Sequence, residues 1–316
     1  MEQSDYSTPA APRSAVAARH YNGPMDGAAI DWVTDTVLQS LASDEPLTAP
    51  ALTFLVRRYT ATEREDLRAA LESALARAVD SQLAAAPCDE RAAWLTLFVE
   101  AAGVSADERL HAAAVDLVSS LGREWGRQAY VDEAAVSIDA CLAASDVFDI
   151  PDLVQTAIDG LEHVLGAAYR PGEGVAHVVA EPGGARGRLS DHVRCASALL
   201  TAYWRTARLP YSMLAEELMQ FARRTLWDER DGGFYDVPHG TKPFALNCEA
   251  ARVVCRLAGL HREDDYRKAA VIAVDADYSR DALRTLESQT PAYRQHGPLS
   301  AVYGLALGEC LAIMKL

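Results

Sequence analysis

Residues 189–235 read LSDHVRCASALLTAYWRTARLPYSMLAEELMQFARRTLWDERDGGFY. From Asp191 to Arg205 the run is apolar nearly all round. A short turn, Thr206 to Pro210, leads into a one-faced helix from Tyr211 to Leu226. A helix that is apolar on every side is buried, and a one-faced helix covers it from outside. The unit is therefore inner helix, short turn, outer helix and long loop, and the next inner helix opens near Asn247.

The same unit recurs outward in both directions. Inner helices are expected to start near Pro50, Asp89, Asp132, Asp191, Asn247 and Pro298. One-faced partners separate them. The first runs from Ile30 through Leu41, and the second follows a capping box at Thr62-Glu63-Arg64-Glu65. The third is capped at Ser105-Ala106-Asp107-Glu108, and the others span Pro151 to Leu165, Tyr211 to Leu226 and Asp264 to Val274. A helix-pair repeat of this length means a solenoid or a closed ring. Six pairs predict an all-α fold, an (α/α)6 barrel, with the first helix closing the ring against the last; an open solenoid is the alternative. Residues 29–316 are read as one barrel domain and residues 1–28, rich in Ala, Ser, Pro and Gly, as a mobile arm.

Half of the 316 residues are hydrophobic and the formal charge is −15. Such a field repels nucleic acid, and no basic patch overrides it. No apolar run reaches the roughly 18 residues of a membrane span, and the N-terminus carries no secretory pattern. The expected setting is the cytoplasm, with a small-molecule substrate as partner and self-association left open. Cys88, Cys141, Cys195, Cys248, Cys255 and Cys310 show no CxxC pair and are expected to be reduced core residues rather than metal ligands.

Inner-to-outer turns are short, whereas outer-to-inner connections lengthen to Tyr169–Leu189, Trp227–Leu246 and Asp275–Gly297. Long loops gathered at one end carry function. That end also holds the N-termini of the inner helices, which favour anionic or hydroxyl-rich ligands. The loops starting at Tyr169 and at Trp227 each pair an aromatic with a Gly turn, and both are expected to form small β-hairpins over the mouth.

Gly187-Arg188-Leu189-Ser190-Asp191-His192, Ala198-Leu199-Leu200-Thr201-Ala202-Tyr203, Trp227-Asp228-Glu229 and Gly232-Gly233-Phe234-Tyr235 together resemble the six-hairpin glycosidase superfamily. Lys242-Pro243, Asn247 and Glu249-Ala250-Ala251 continue the likeness. It is nearest to the barrel domain of YyaL-like, thioredoxin-domain-containing proteins and extends over Tyr169 to Tyr266. The resemblance implies the same barrel and action on sugars at the mouth, with helix-start aspartates doing the chemistry in glucuronyl-hydrolase-like members.

Asp191 and Asp132 both open inner helices, as an acid and base across the mouth or as N-caps. His192 follows Asp191 as a proton shuttle or a structural histidine. His177, His239 and His296 fall in long loops on the same face; none has the i, i+4 spacing of a metal pair, so no metal and no cofactor is expected. These three histidines, with Arg188, Tyr130, Tyr235 and Asn247, are candidates to bind substrate; Asn247 is equally a helix cap. Asp264-Asp265 and Asp275-Ala276-Asp277 are similar to the acidic motifs of terpene cyclases; the first pair opens an outer helix and is read as capping, and the second starts a long loop with no supporting aromatics. The function expected is cofactor-independent acid–base chemistry on a carbohydrate or polyol, of hydrolase or epimerase/isomerase type. A non-catalytic binding barrel and a tailoring enzyme or cyclase with an apolar substrate are the alternatives.

Overall fold

In the computed structural model the described residues are 27–43, 48–80, 83–150, 152–179, 181, 184–269 and 272–315. The arm expected over residues 1–28 lies almost wholly outside them. In chain order the helices are α1 (Gly27–Ala42), α2 (Ala49–Thr62), α3 (Glu65–Val79), α4 (Cys88–Ala101), α5 (Glu108–Glu124), α6 (Val131–Ala144) and α7 (Leu153–Ala168). A hairpin of β1 (Tyr169–Arg170) and β2 (Gly174–Val175) follows. After it come α8 (Leu189–Thr206), α9 (Leu209–Leu226), α10 (Phe244–Leu260), α11 (Asp264–Ala269), α12 (Tyr278–Gln289) and α13 (Ala301–Lys315).

Helices α2, α4, α6, α8, α10 and α13 each pack on the next, and α13 packs back on α2. The ring is closed, which removes the open solenoid. Outside it, α1, α3, α5, α7, α9 and α12 cover the seams, and the chain is an (α/α)6 barrel. Closure depends on a close approach: a Cβ on Gly304 of α13 would lie 2.5 Å from the ring of Phe54 on α2. Phe54 is 2% exposed, within the core. Gly304→Val is therefore expected to destabilise the fold by about 2 kcal/mol through overpacking. Chemical denaturation checks it, with Phe54→Leu in the same chain recovering part of the loss.

Several local expectations are corrected. The outer partner of α10 is α12, not Asp264–Val274, because α11 ends at Ala269 and α12 supplies the packing against α10 and α13. Thr62 is the last residue of α2, and α3 begins after Arg64 with no side-chain cap, so no capping box forms there. Asp107 does cap α5, accepting from Arg109 N, and Asp277 caps α12, accepting from Arg280 N. The loop at Tyr169 is a true hairpin, Tyr169 opposite Val175; the loop at Trp227 forms only one bridge, to Phe234. Cys255 of α10 and Cys310 of α13 are joined in a disulfide, with Cα atoms 5.8 Å apart; Cys88, Cys141, Cys195 and Cys248 are free and buried.

The inner helices are not apolar all round either. On α8 the polar residues Ser190, Arg194, Ser197 and Thr201 form one stripe that ends at Trp204. The centre of a hexagon is one side from each corner, so helices packed about 8–10 Å apart leave a lumen that side chains and water fill. Arg252 of α10 and Arg57 of α2 share Glu309 of α13, and Arg57 also donates to Glu100 of α4. The charge of Arg252 interacts with Glu100, on the helix diametrically opposite.

Candidate active site

Asp191 lies in the first turn of α8 and Asp132 in the first turn of α6, the neighbouring inner helix. Neither is an N-cap: Arg188 and Tyr130 hold those positions, without a side-chain capping bond. Helix starts place both carboxylates at the mouth, and a loop supplies the third group. Residues 174–179 run as an irregular strand between the end of α7 and the start of α6. Val131 N donates to His177 O (2.9 Å), His177 N to Ala185 O (2.9 Å) and Val179 N to Ala129 O (3.0 Å). These bonds hold the His177 ring over α8, stacked on Tyr130 with centroids 4.7 Å apart.

His177 Nδ1 is 3.0 Å from Asp191 Oδ1. One ligand atom each from Asp132, His177 and Asp191 lie within 4.8 Å of one another. Asp191 is fully buried and its Oδ2 has no partner among the described residues. Asp132 and His177 keep side-chain exposures of 14% and 17% and face the mouth in front of it. Burial pushes the Asp191 carboxyl up to about 6; the hydrogen bond from His177 pulls it down, and the like charge of Asp132 raises it again. Asp132 accepts from Glu133 N (3.0 Å) and lies 3.4 Å from Arg194, which also pairs with Glu249 at 3.6 Å. By spacing, these three side chains are also the group among the described residues that fits a divalent cation. The helix starts were legible in the sequence; the bond between His177 and Asp191 was not, because an irregular loop makes it.

The other candidates are placed differently. His192 is buried and stacks on Phe221 at 4.8 Å. Its Nδ1 donates to Arg188 O (2.8 Å) and its Nε2 accepts from Val175 N (3.3 Å), so both nitrogens are occupied by backbone. Burial lowers the imidazole to about 4, which keeps it neutral. Gly174, at φ +73°, makes this possible: a Cβ there would sit 2.5 Å from His192 Nε2. Asn247, fully buried, accepts from Phe234 N (2.7 Å) and donates to Phe234 O and Pro243 O (3.0 Å each). It fastens the Trp227 loop to α10 and has no amide hydrogen left for a ligand.

Tyr235 donates to Asp228 (2.9 Å), which Lys242 also pairs at 2.6 Å. His296 stacks on Phe244 at 3.9 Å. His239 sits in a turn at φ +62°, and Arg188 is exposed at the start of α8. His239 and His296 do not join the His177 group. Trp227 is buried between Phe234 and the guanidinium of Arg223, 4.3 Å from its ring, and so pins its loop to the barrel.

No protein-family model and no curated protein sequence matches the chain. Solved structures do. D-mannose isomerase superposes with a TM-score of 0.64 at 12% identity, over 94% of this chain and 99% of that one. Unsaturated glucuronyl hydrolase from Bacillus sp. GL1 gives 0.65 at 13%, over 90% and 95%. Cellobiose 2-epimerase from Spirochaeta thermophila gives 0.53 at 13%, over 67% and 60%. The chain shares their fold. The identities are too low to transfer an activity, so what it does is argued from its own side chains.

Proposed function

We propose that the chain is a cofactor-independent enzyme that moves a proton on a carbohydrate or polyol, of isomerase or epimerase type. His177 is the group that meets the substrate, Asp191 the buried partner that orients it, and Asp132 the second polar group at the mouth. One observation carries this: a fully buried aspartate bound to the Nδ1 of a mouth-facing histidine whose Nε2 has no partner among the described residues. A carboxylate behind an imidazole fixes its tautomer and supports the imidazolium that forms when it takes a proton. Nε2 would remove the proton from the carbon beside a carbonyl, leaving an enediolate, and the imidazolium would return it to the neighbouring carbon, with a proton passing from one oxygen to the other, or to the opposite face of the same carbon.

Hydrolysis by two exposed carboxylates has less support. Asp191 has no solvent-exposed surface, and its ligand atom is within 4.8 Å of that of Asp132. Inverting pairs stand roughly 6.5–9.5 Å apart to admit water and retaining pairs about 5–5.5 Å, so the spacing argues against inversion and the burial of Asp191 is what weighs against a retaining pair. The names of the structural neighbours, two of them an isomerase and an epimerase of sugars, agree with the substrate class. The nearer kinship to YyaL-like barrel domains rests on the motifs between Tyr169 and Tyr266.

The test is a sugar panel of aldoses, disaccharides and uronyl oligosaccharides incubated in D2O. Proton transfer at carbon leaves deuterium in the product; a cleaved product with no carbon-bound deuterium would replace this assignment with hydrolysis. Chelator-treated protein is expected to keep its turnover. Loss that a divalent cation restores would instead make Asp132, His177 and Asp191 metal ligands.

A further inference from the structure

At the other end of the lumen the charges are paired differently. Arg57, Arg194 and Arg252 each have a carboxylate partner. Arg256, on the axial stripe of α10, has none in contact among the described residues. Its Nη1 donates to Ser197 Oγ (2.8 Å) and its Nη2 to Thr201 Oγ1 (2.9 Å), both on α8, while its Nε is unpartnered. Its charge interacts with Asp139 of α6 and Glu309 of α13 without contact, and Ser197, which accepts from it, donates to Asp139 at 2.5 Å. A guanidinium drawn into a protein with no carboxylate in contact keeps donors that an arriving anion can accept from.

The guanidinium also lies 4.4 Å over the indole of Trp204, the last residue of the α8 stripe. Trp204 is 52% exposed, so part of its ring meets solvent. Thirteen residues of helix, about 20 Å, separate Trp204 from Asp191.

We propose that this end is a second ligand site, in which Arg256 binds the oxyanion of a small anionic polyol against Trp204. Ser197 and Thr201 hold the guanidinium flat for bidentate contact, and the indole offers an apolar face to the polyol carbons. Carboxylate and phosphate share this chemistry, and the arms of the test separate a uronic acid from a sugar phosphate.

The full chain is titrated with inorganic phosphate, glucuronate, glucose 6-phosphate and, as the neutral control, glucose. Heat and tryptophan fluorescence are both recorded. An anion is expected to bind saturably, with affinity falling at least about tenfold in Arg256→Gln. Trp204→Phe should abolish the fluorescence change while heat is still released, and this variant, altered at a half-exposed position, guards against a folding failure in the first. Asp191→Asn should leave binding intact, which keeps the outcome independent of the proton-transfer assignment. No anion binding below about 10 mM, equal binding by Arg256→Gln, glucose binding that Arg256→Gln weakens as much as it weakens the anions, or loss in Asp191→Asn alone would each overturn the proposal.

Discussion

Asp191→Asn is expected to lower turnover by about 10²–10⁴-fold, the range for losing a positioned acid–base partner, while making the protein more stable at alkaline pH. The two effects have one cause. Asparagine keeps the shape of the side chain but cannot accept the imidazolium proton, and it can hold His177 in the wrong tautomer. It also removes a carboxylate that burial makes costly to ionise. The sign follows from the raised folded value. A carboxyl at about 6 in the folded chain and near 4 in the unfolded one favours the folded state below pH 4. That preference is lost as pH rises through 6. At pH 8 the wild type carries a penalty of about 3 kcal/mol that the variant lacks; at pH 4 the two are alike. Denaturation curves at both pH values, run beside the activity assay, check this. Equal stability at pH 8 would show that Asp191 is not held in a costly ionised state.

Glu216→Ala is expected to cost about 4 kcal/mol and to loosen one seam of the outer ring. Glu216, on α9, is fully buried and accepts four hydrogen bonds: from His261 Nε2 (3.1 Å), Ile272 N (3.1 Å), Ala273 N (3.0 Å) and Tyr278 OH (3.2 Å). Those donors lie at the end of α10, in the connection after α11 and at the start of α12, so one carboxylate ties three segments to α9. Alanine leaves all four without an acceptor, and each unmade bond in the interior is expensive. Burial alone would raise the Glu216 carboxyl, but the bonds from His261, Ile272 and Ala273 prevail and hold it below the ordinary value. Its contribution is therefore present above the unfolded value and lost as pH falls through the lowered folded one. Hydrogen exchange at the Ile272 and Ala273 amides provides the local measurement. Protection unchanged in the variant would assign the connection's order to other contacts.

The same residues show where a sequence stops being legible. The six inner helices could be placed because stretches such as Ala134, Ala135, Ile138, Cys141 and Leu142 leave little polar surface except on one stripe. That stripe went unread, since Arg57 and Glu309 look like isolated charges until the ring brings them together. Helix α12 was hidden for the opposite reason: it is polar overall, and two of its five buried residues are Thr285 and Gln289, so its inner face carries few apolar side chains. Nothing in the spacing of Cys255 and Cys310, 55 residues apart on different helices, pairs them in advance. At the mouth, Asp191 and Asp132 could be chosen from their helix starts. His177 and its bond depend on backbone pairing with Ala129, Val131 and Ala185, which no periodicity encodes. His192, adjacent in sequence to Asp191, turned out to serve the backbone instead.

Carbon-13 NMR of protein labelled at the aspartate side-chain carboxyls, titrated between pH 3 and 8, tests the proposed proton-transfer pair most directly. One resonance should have its inflection near 6, vanish in Asp191→Asn, and move to higher pH in His177→Gln, where the hydrogen bond that lowers it is gone. If Asp191 titrates at about 4 like an ordinary aspartate, or does not respond to the loss of His177, the two do not form the proton-carrying pair on which the assignment rests.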